Sequence, residues 1–182
     1  IYERFVSPSV LTYANAEAGK IGLYPEVYNA STIFVERMNK WTEIDVKLSG
    51  LKVQIIPEFE QYLQKGHPKM IIPGEPEVIN ALKDRLTPII GDNCVMFTSK
   101  PYFLEIMPIA SGKGEALKHL CEVLSIPREL VMAFGDSWND ESMMEYAYHS
   151  VCMINGLDEM KKKARHVTEF SHNEDGLARF IE

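Results

Sequence analysis

Asp136 and Asp140 are the residues whose types and spacing most directly suggest chemistry. They lie in Phe134-Gly135-Asp136-Ser137-Trp138-Asn139-Asp140, after the apolar run Leu130-Val131-Met132-Ala133 and before Glu141-Ser142-Met143-Met144. A short apolar run, then Gly-Asp, then a helical pattern predicts a buried parallel strand opening into a loop and helix. Open α/β sheets bind ligands at that carboxyl end. Asp136 is placed at the strand tip and Asp140 in the first turn of the next helix, so both carboxylates can face one point. Two acids there suit a hard divalent cation such as Mg²⁺. The plainer alternative is that Asp136 and Asn139 only cap a helix.

A second constellation, Ser111-Gly112-Lys113-Gly114, heads the helix that precedes this strand. Its glycines let backbone approach a ligand, the helix start offers N–H groups, and Lys113 adds a cation. Together these favour an anion. The stretch is not a P-loop, because Gly114 stands where Ser or Thr is required. A lysine in such a place also serves simply as a solvated residue, but a phosphate bridged by Lys⁺ and Mg²⁺ needs both constellations.

The elements that must position these groups follow from periodicity. From about Ile109 onward, the predicted order is a helix carrying Ala116, Leu117, Leu120, Cys121 and Leu124 inward, the strand to Asp136, and a helix through Met143, Met144 and Ala147. A strand Val151–Ile154, a Lys-rich helix Leu157–Ala164, a short strand at Val167–Thr168 and a helix from Asp175 complete it. Strands alternating with helices imply a parallel sheet. Upstream, helices are predicted for Ser7–Gly19, from an N-cap at Ser31 through Phe34, Met38 and Trp41, from Pro57 to Leu63, and from Pro76 with Val78, Ile79, Leu82 and Leu86 as its apolar stripe. Strands are predicted at Leu51–Ile56, Lys69–Ile72, Val95–Thr98 and Tyr102–Met107, while Lys20–Tyr28 is too irregular to assign, Ile21 and Leu23 being compatible with a short strand. This makes an α+β unit ending near Pro108.

Composition bounds the rest. The 182 residues are 46% hydrophobic and 25% charged with a net charge of -7, which suits a globular protein and argues against nucleic acid or an anionic membrane as partner. No apolar run reaches membrane-spanning length. Cys94, Cys121 and Cys152 are odd in number and widely spaced, indicating neither a disulfide framework nor a zinc site. A cytoplasmic location is expected. The chain starts Ile1-Tyr2-Glu3-Arg4 with no Met, so a preceding segment is expected. His119 and His149 are assigned to helices, His67, His166 and His172 to polar stretches, and Met132, Met143 and Met144 to the core.

From Phe103-Leu104-Glu105-Ile106 through Lys113-Gly114, Gly135-Asp136-Ser137-Trp138-Asn139-Asp140, Met143-Met144, Asn155 and Asn173-Glu174-Asp175-Gly176, the chain resembles the haloacid dehalogenase superfamily, in its Cof-type sugar-phosphatase branch. The resemblance implies an α/β fold: residues 1–107 as an α/β cap domain and residues 108–182 as the carboxyl half of a Rossmann-like core. It implies Lys113 and Asp136 as catalytic residues, Lys113 and Asn139 at the phosphate, and Asp136 and Asp140 at Mg²⁺. It further implies hydrolysis of a small phosphorylated metabolite through an aspartyl phosphate. The family's nucleophile lies in a leading Asp-x-Asp motif, and no Asp-x-Asp occurs in this sequence. The nucleophile is therefore expected from a complementing N-terminal segment. The alternatives are a noncatalytic binding module and, less compatibly because Ser137 replaces a glycine, part of a P-type ion pump.

Overall fold

The computed structural model describes residues 3–182; Ile1 and Tyr2, with the expectation attached to them, lie outside it. The described chain divides into two compact units, residues 3–109 and residues 110–182.

In the first unit, Ser7 caps α1 (Pro8–Gly19), whose Val10, Leu11, Ala14 and Ala18 are buried. β1 (Glu26–Tyr28) and β2 (Thr32–Val35) follow, then α2 (Lys40–Ser49), β3 (Lys52–Ile55), α3 (Phe59–Tyr62) and β4 (Met70–Pro73). α4 (Pro76–Ile90), β5 (Val95–Lys100) and β6 (Phe103–Met107) complete it. The sheet order is β3-β2-β1-β4-β6-β5. All pairings are antiparallel except β2 with β3. Alternate residues on its strands serve different clusters, as strand geometry requires. Val27, Met70, Ile72, Leu104 and Ile106 join α1, α3 and α4, whereas Tyr28, Ile71 and Phe103 pack with Ile44 and Val46 of α2.

Two expectations fail here. In the unassigned stretch, Ile21 and Gly22 form a turn and Glu26–Tyr28 the strand β1. The helix predicted from Ser31 is instead strand β2 followed by α2, whose N-cap is Asn39, its Oδ1 accepting from Trp41 N at 2.8 Å and Thr42 N at 3.1 Å. The β-branched Thr32, Ile33 and Val35 prefer the strand, and the spacing of Phe34, Met38 and Trp41 spans two elements by coincidence. On α4, Ile79, Leu82, Leu86 and Ile90 form the buried stripe and Val78 stays exposed.

A polar cluster sits inside the face covered by α2. Glu26, Thr42 and Asp45 are buried, and the Tyr28 hydroxyl lies 2.6 Å from Asp45 Oδ2 and 3.0 Å from Glu26 Oε2. A phenol has one hydrogen. With that hydrogen on Asp45, the contact to Glu26 is a hydrogen bond only if Glu26 is the protonated donor. Burial, first, pushes the Glu26 carboxyl up to about 7; Thr42 and Tyr28 oppose the rise, Asp45 adds to it, and Lys69 opposes it.

The second unit contains α5 (Lys113–Leu124), β7 (Met132–Gly135), α6 (Glu141–Tyr146), β8 (His149–Cys152), α7 (Asp158–Lys163), β9 (His166–Val167) and α8 (Gly176–Ile181). Its strands form a parallel sheet in the order β7-β8-β9, as the alternation of strands and helices predicts. Cys121, Val131, Ala133 and Ala147 make one buried cluster, and Met144, Cys152 and Met160 another. Phe180 of α8 meets Phe134 edge-on at 5.6 Å.

The expected apolar stripe of α5 is only partly inward: Cys121 is buried, but Leu120, Val123 and Leu124 are more than half exposed. Leu130 and Met132 are exposed as well, so Met132 is not core filler. His149 opens β8 and is not helical. Among the described residues, no helix is long and apolar enough to cross a membrane.

Candidate active site

β7 delivers Gly135 and Asp136 to the carboxyl end of the parallel sheet. There the chain turns through a 3-10 segment, Trp138–Asp140, into α6. Ser137 caps this turn. Its side chain accepts from the Asp140 backbone while Asp140 Oδ2 accepts from Ser137 N at 3.4 Å, a reciprocal capping box. The alternative in which Asp136 and Asn139 serve as caps is therefore not what occurs.

Asp140 is buried and fully engaged. Oδ2 also accepts from Asp136 N at 3.0 Å, and Oδ1 accepts from Lys113 Nζ at 2.5 Å. Burial by itself raises the Asp140 carboxyl; the hydrogen bond from Lys113 and that from Asp136 N outweigh it, so its pKa falls below the usual aspartate value. Lys113 reaches Asp140 from the first position of α5.

Two glycines make this approach sterically feasible. A Cβ on Gly135 would lie 2.5 Å from Asp140 Cβ and 2.7 Å from Met144 Sδ. A Cβ on Gly114 would lie 2.5 Å from the Ser142 carbonyl carbon, and Gly114 N donates to Ser142 Oγ at 3.1 Å. The last bond corrects an expectation: one of the N–H groups assigned to an anion at the start of α5 is already taken by α6.

Lys113, Asp136 and Asp140 thus line one pocket of about 570 Å³, together with Phe134, Met153, His172 and Asp175. Asn139 is exposed on the 3-10 turn and is not among the lining residues. Sequence reasoning missed His172 and Asp175 at the pocket, and Ser142 beneath it. Asp175 stood within the Asn-Glu-Asp-Gly run, and His172 and Ser142 stood directly beside motifs without being assigned a role.

Among the described residues, no three His, Cys, Asp or Glu side chains gather as a metal cage. Mg²⁺ does not require one, since it commonly takes one or two carboxylates and keeps several waters. Asp136 fits that role. Asp140 anchors the Asp136 loop through Oδ2, while Oδ1 accepts from Lys113 and keeps a lone pair that a metal or its water could use.

Residues 1–181 match the profile of haloacid dehalogenase-like hydrolases, and the chain belongs to that family. A Streptococcus pyogenes serotype M6 protein bearing a provisional phosphatase name is 35% identical over 164 residues, covering 89% of this chain and 60% of that protein. The Bacillus subtilis 5-amino-6-(5-phospho-D-ribitylamino)uracil phosphatase YwtE is 44% identical over 85 residues, which is 47% of this chain and 29% of YwtE. A crystal structure of a haloacid dehalogenase-like hydrolase from Bacteroides thetaiotaomicron superposes with a TM-score of 0.90 at 27% identity, covering all of this chain and 68% of that one. The chain thus spans 60% or less of the length of these curated relatives.

Proposed function

We propose that this chain is part of a Mg²⁺-dependent phosphomonoesterase acting on a small phosphorylated metabolite, a sugar phosphate or a phosphorylated cofactor. The observation that carries this reading is the Lys113–Asp140 pair set beside Asp136 in one pocket at the end of a parallel strand. Lys113 brings positive charge to the phosphoryl oxygens. Asp136 holds the metal, which when bound withdraws charge from the same oxygens. Asp140 fixes both the Lys113 ammonium and the Asp136 loop. We assign the nucleophilic carboxylate to a segment N-terminal to Ile1, leaving-group recognition to residues 3–109 as a cap, and the cytoplasm as the location. The phosphatase names of the relatives support the reaction class.

The test is hydrolysis of an aryl phosphate with Mg²⁺ by this chain, with and without the upstream coding segment. Activity in the longer protein alone, abolished by Lys113→Ala and by Asp136→Asn with the fold retained, is the expected result. Retained turnover in either variant overturns the assignment. One observation, the lack of Asp-x-Asp in the sequence, favours a second reading as a noncatalytic binding module, and inactivity of both forms would select it.

A further inference from the structure

The turn after β9 bears a histidine whose neutral tautomer is set by its neighbours. The backbone N–H of His172 donates to Asn155 Oδ1 at 3.0 Å. A backbone N–H can only donate, so this contact fixes which end of the Asn155 amide is oxygen. The other end, Nδ2, then lies 2.7 Å from His172 Nδ1. An amide NH₂ can only donate, so Nδ1 must accept, and the neutral ring carries its hydrogen on Nε2.

The surrounding backbone is tied down on both sides. Ile154 N donates to Thr168 Oγ1 at 2.9 Å, and Thr168 Oγ1 donates to Phe170 O at 2.7 Å. Ser171 Oγ and N both donate to Glu174 Oε2, at 2.6 and 3.1 Å. The loop after β8 and the turn after β9 therefore present the ring in a set orientation. His172 lines the pocket shared by Lys113, Asp136 and Asp140, and among the described residues its Nε2 has no hydrogen-bond partner.

The charge of that pocket creates a need for such a donor. Its lining holds the carboxylates Asp136, Asp140 and Asp175 and a single ammonium, Lys113, already engaged by Asp140. A neutral N–H adds hydrogen bonding toward an anion without adding a charge for the acids to compete for. We infer that His172 is a further substrate-binding residue, donating its Nε2–H to an oxygen of the bound phosphate ester, with Asn155 as the positioning residue that holds its tautomer. This inference rests on the phosphatase reading for the identity of the ligand.

The experiment combines side-chain ¹⁵N–¹H NMR with kinetics. In the 182-residue chain near neutral pH, His172 is expected as the Nε2–H tautomer, with Asn155→Ala producing a mixture of tautomers. In the protein with its upstream segment restored, inorganic phosphate with Mg²⁺ should shift the His172 Nε2 resonance. There His172→Ala should raise KM for an aryl phosphate about three- to tenfold, the worth of one neutral hydrogen bond, with little change in kcat. His172→Gln, which keeps a donor near Nε2, should recover part of the loss. An Nδ1–H tautomer, a silent Nε2 resonance on phosphate addition, or an unchanged KM in an active His172→Ala enzyme each overturns the inference. A phosphate-dependent shift in a protein with no hydrolase activity would instead leave His172 as an anion contact and overturn the phosphatase reading.

Discussion

Asp140 Oδ2 accepts the backbone N–H of Asp136 at 3.0 Å, so the second acid of the Gly-Asp-Ser-Trp-Asn-Asp stretch holds the first in place. Four residues of spacing let the chain turn once and return a carboxylate to the peptide that carries its neighbour. Its role is to organise the loop before any ligand arrives.

Asp140→Ala is accordingly expected to lower stability by about 1–3 kcal/mol, since it removes the acceptor of two half-buried backbone N–H groups and the partner of a half-exposed ammonium. Asp140→Asn should cost less, because its carbonyl can still accept from the loop. Urea denaturation followed by far-UV circular dichroism measures both.

The same residue predicts an acid limb. A carboxyl held below its usual value contributes stability that is complete above the unfolded aspartate value, about 3.9, and is lost as pH falls through the lower native value. Urea midpoints taken down through that range should fall more steeply for the natural protein than for Asp140→Asn.

Glu26 predicts the opposite slope. Its carboxyl, pushed up to about 7 by burial, binds its proton more tightly in the folded state than in the unfolded one. Its contribution is therefore complete below the unfolded glutamate value, about 4.3, and is lost as pH rises through about 7, at a cost on the order of 3 kcal/mol by mildly alkaline pH. Glu26→Gln should match the natural protein near pH 4 and exceed it near pH 8, with urea midpoints at the two pH values as the measurement. Equal slopes in the two proteins would show that Glu26 is ionised in its cluster.

Gly114 and Gly112 form a matched pair. A methyl at Gly114 meets Ser142 backbone, which cannot swing away, whereas at Gly112 the nearest atom is the Ser142 hydroxyl oxygen at 3.2 Å. Gly114→Ala should cost about 1–3 kcal/mol and displace Lys113 from Asp140, while Gly112→Ala should be tolerated with a small loss. Thermal unfolding midpoints of the two variants decide this.

Elements whose local pattern and packing agree could be read from sequence. The strand to Asp136, the parallel order that follows and the helix headed by Lys113 are such cases, and so is the grouping of Lys113, Asp136 and Asp140. Where the pattern depended on residues far along the chain, reading failed. Glu26-Val27-Tyr28 gives no sign of a strand with a polar buried face, because Asp45, which accepts from the Tyr28 hydroxyl there, arrives from α2. The inward stripe assigned to α5 assumed cover on both flanks, yet Leu120, Val123 and Leu124 stay exposed. Asn139 is adjacent to Asp140 in sequence, but the 3-10 turn sends the two side chains to different environments. His172 stands beside the Asn-Glu-Asp-Gly run with no role legible, since its significance lies in a pairing with Asn155 across two loops.

Among the described residues β7 pairs only with β8, and the exposed Leu130 and Met132 lie at its start. A bare strand margin bordered by apolar side chains is a template for cross-chain zippering, and the propensity rises with concentration. Solutions of the 182-residue polypeptide should therefore show light scattering that grows steeply with concentration, and Met132→Lys should suppress it by placing a charge where another copy's strand would dock. The strand that delivers Asp136 is itself the bare margin, a colloidal liability to be managed whenever the 182-residue polypeptide is purified or stored.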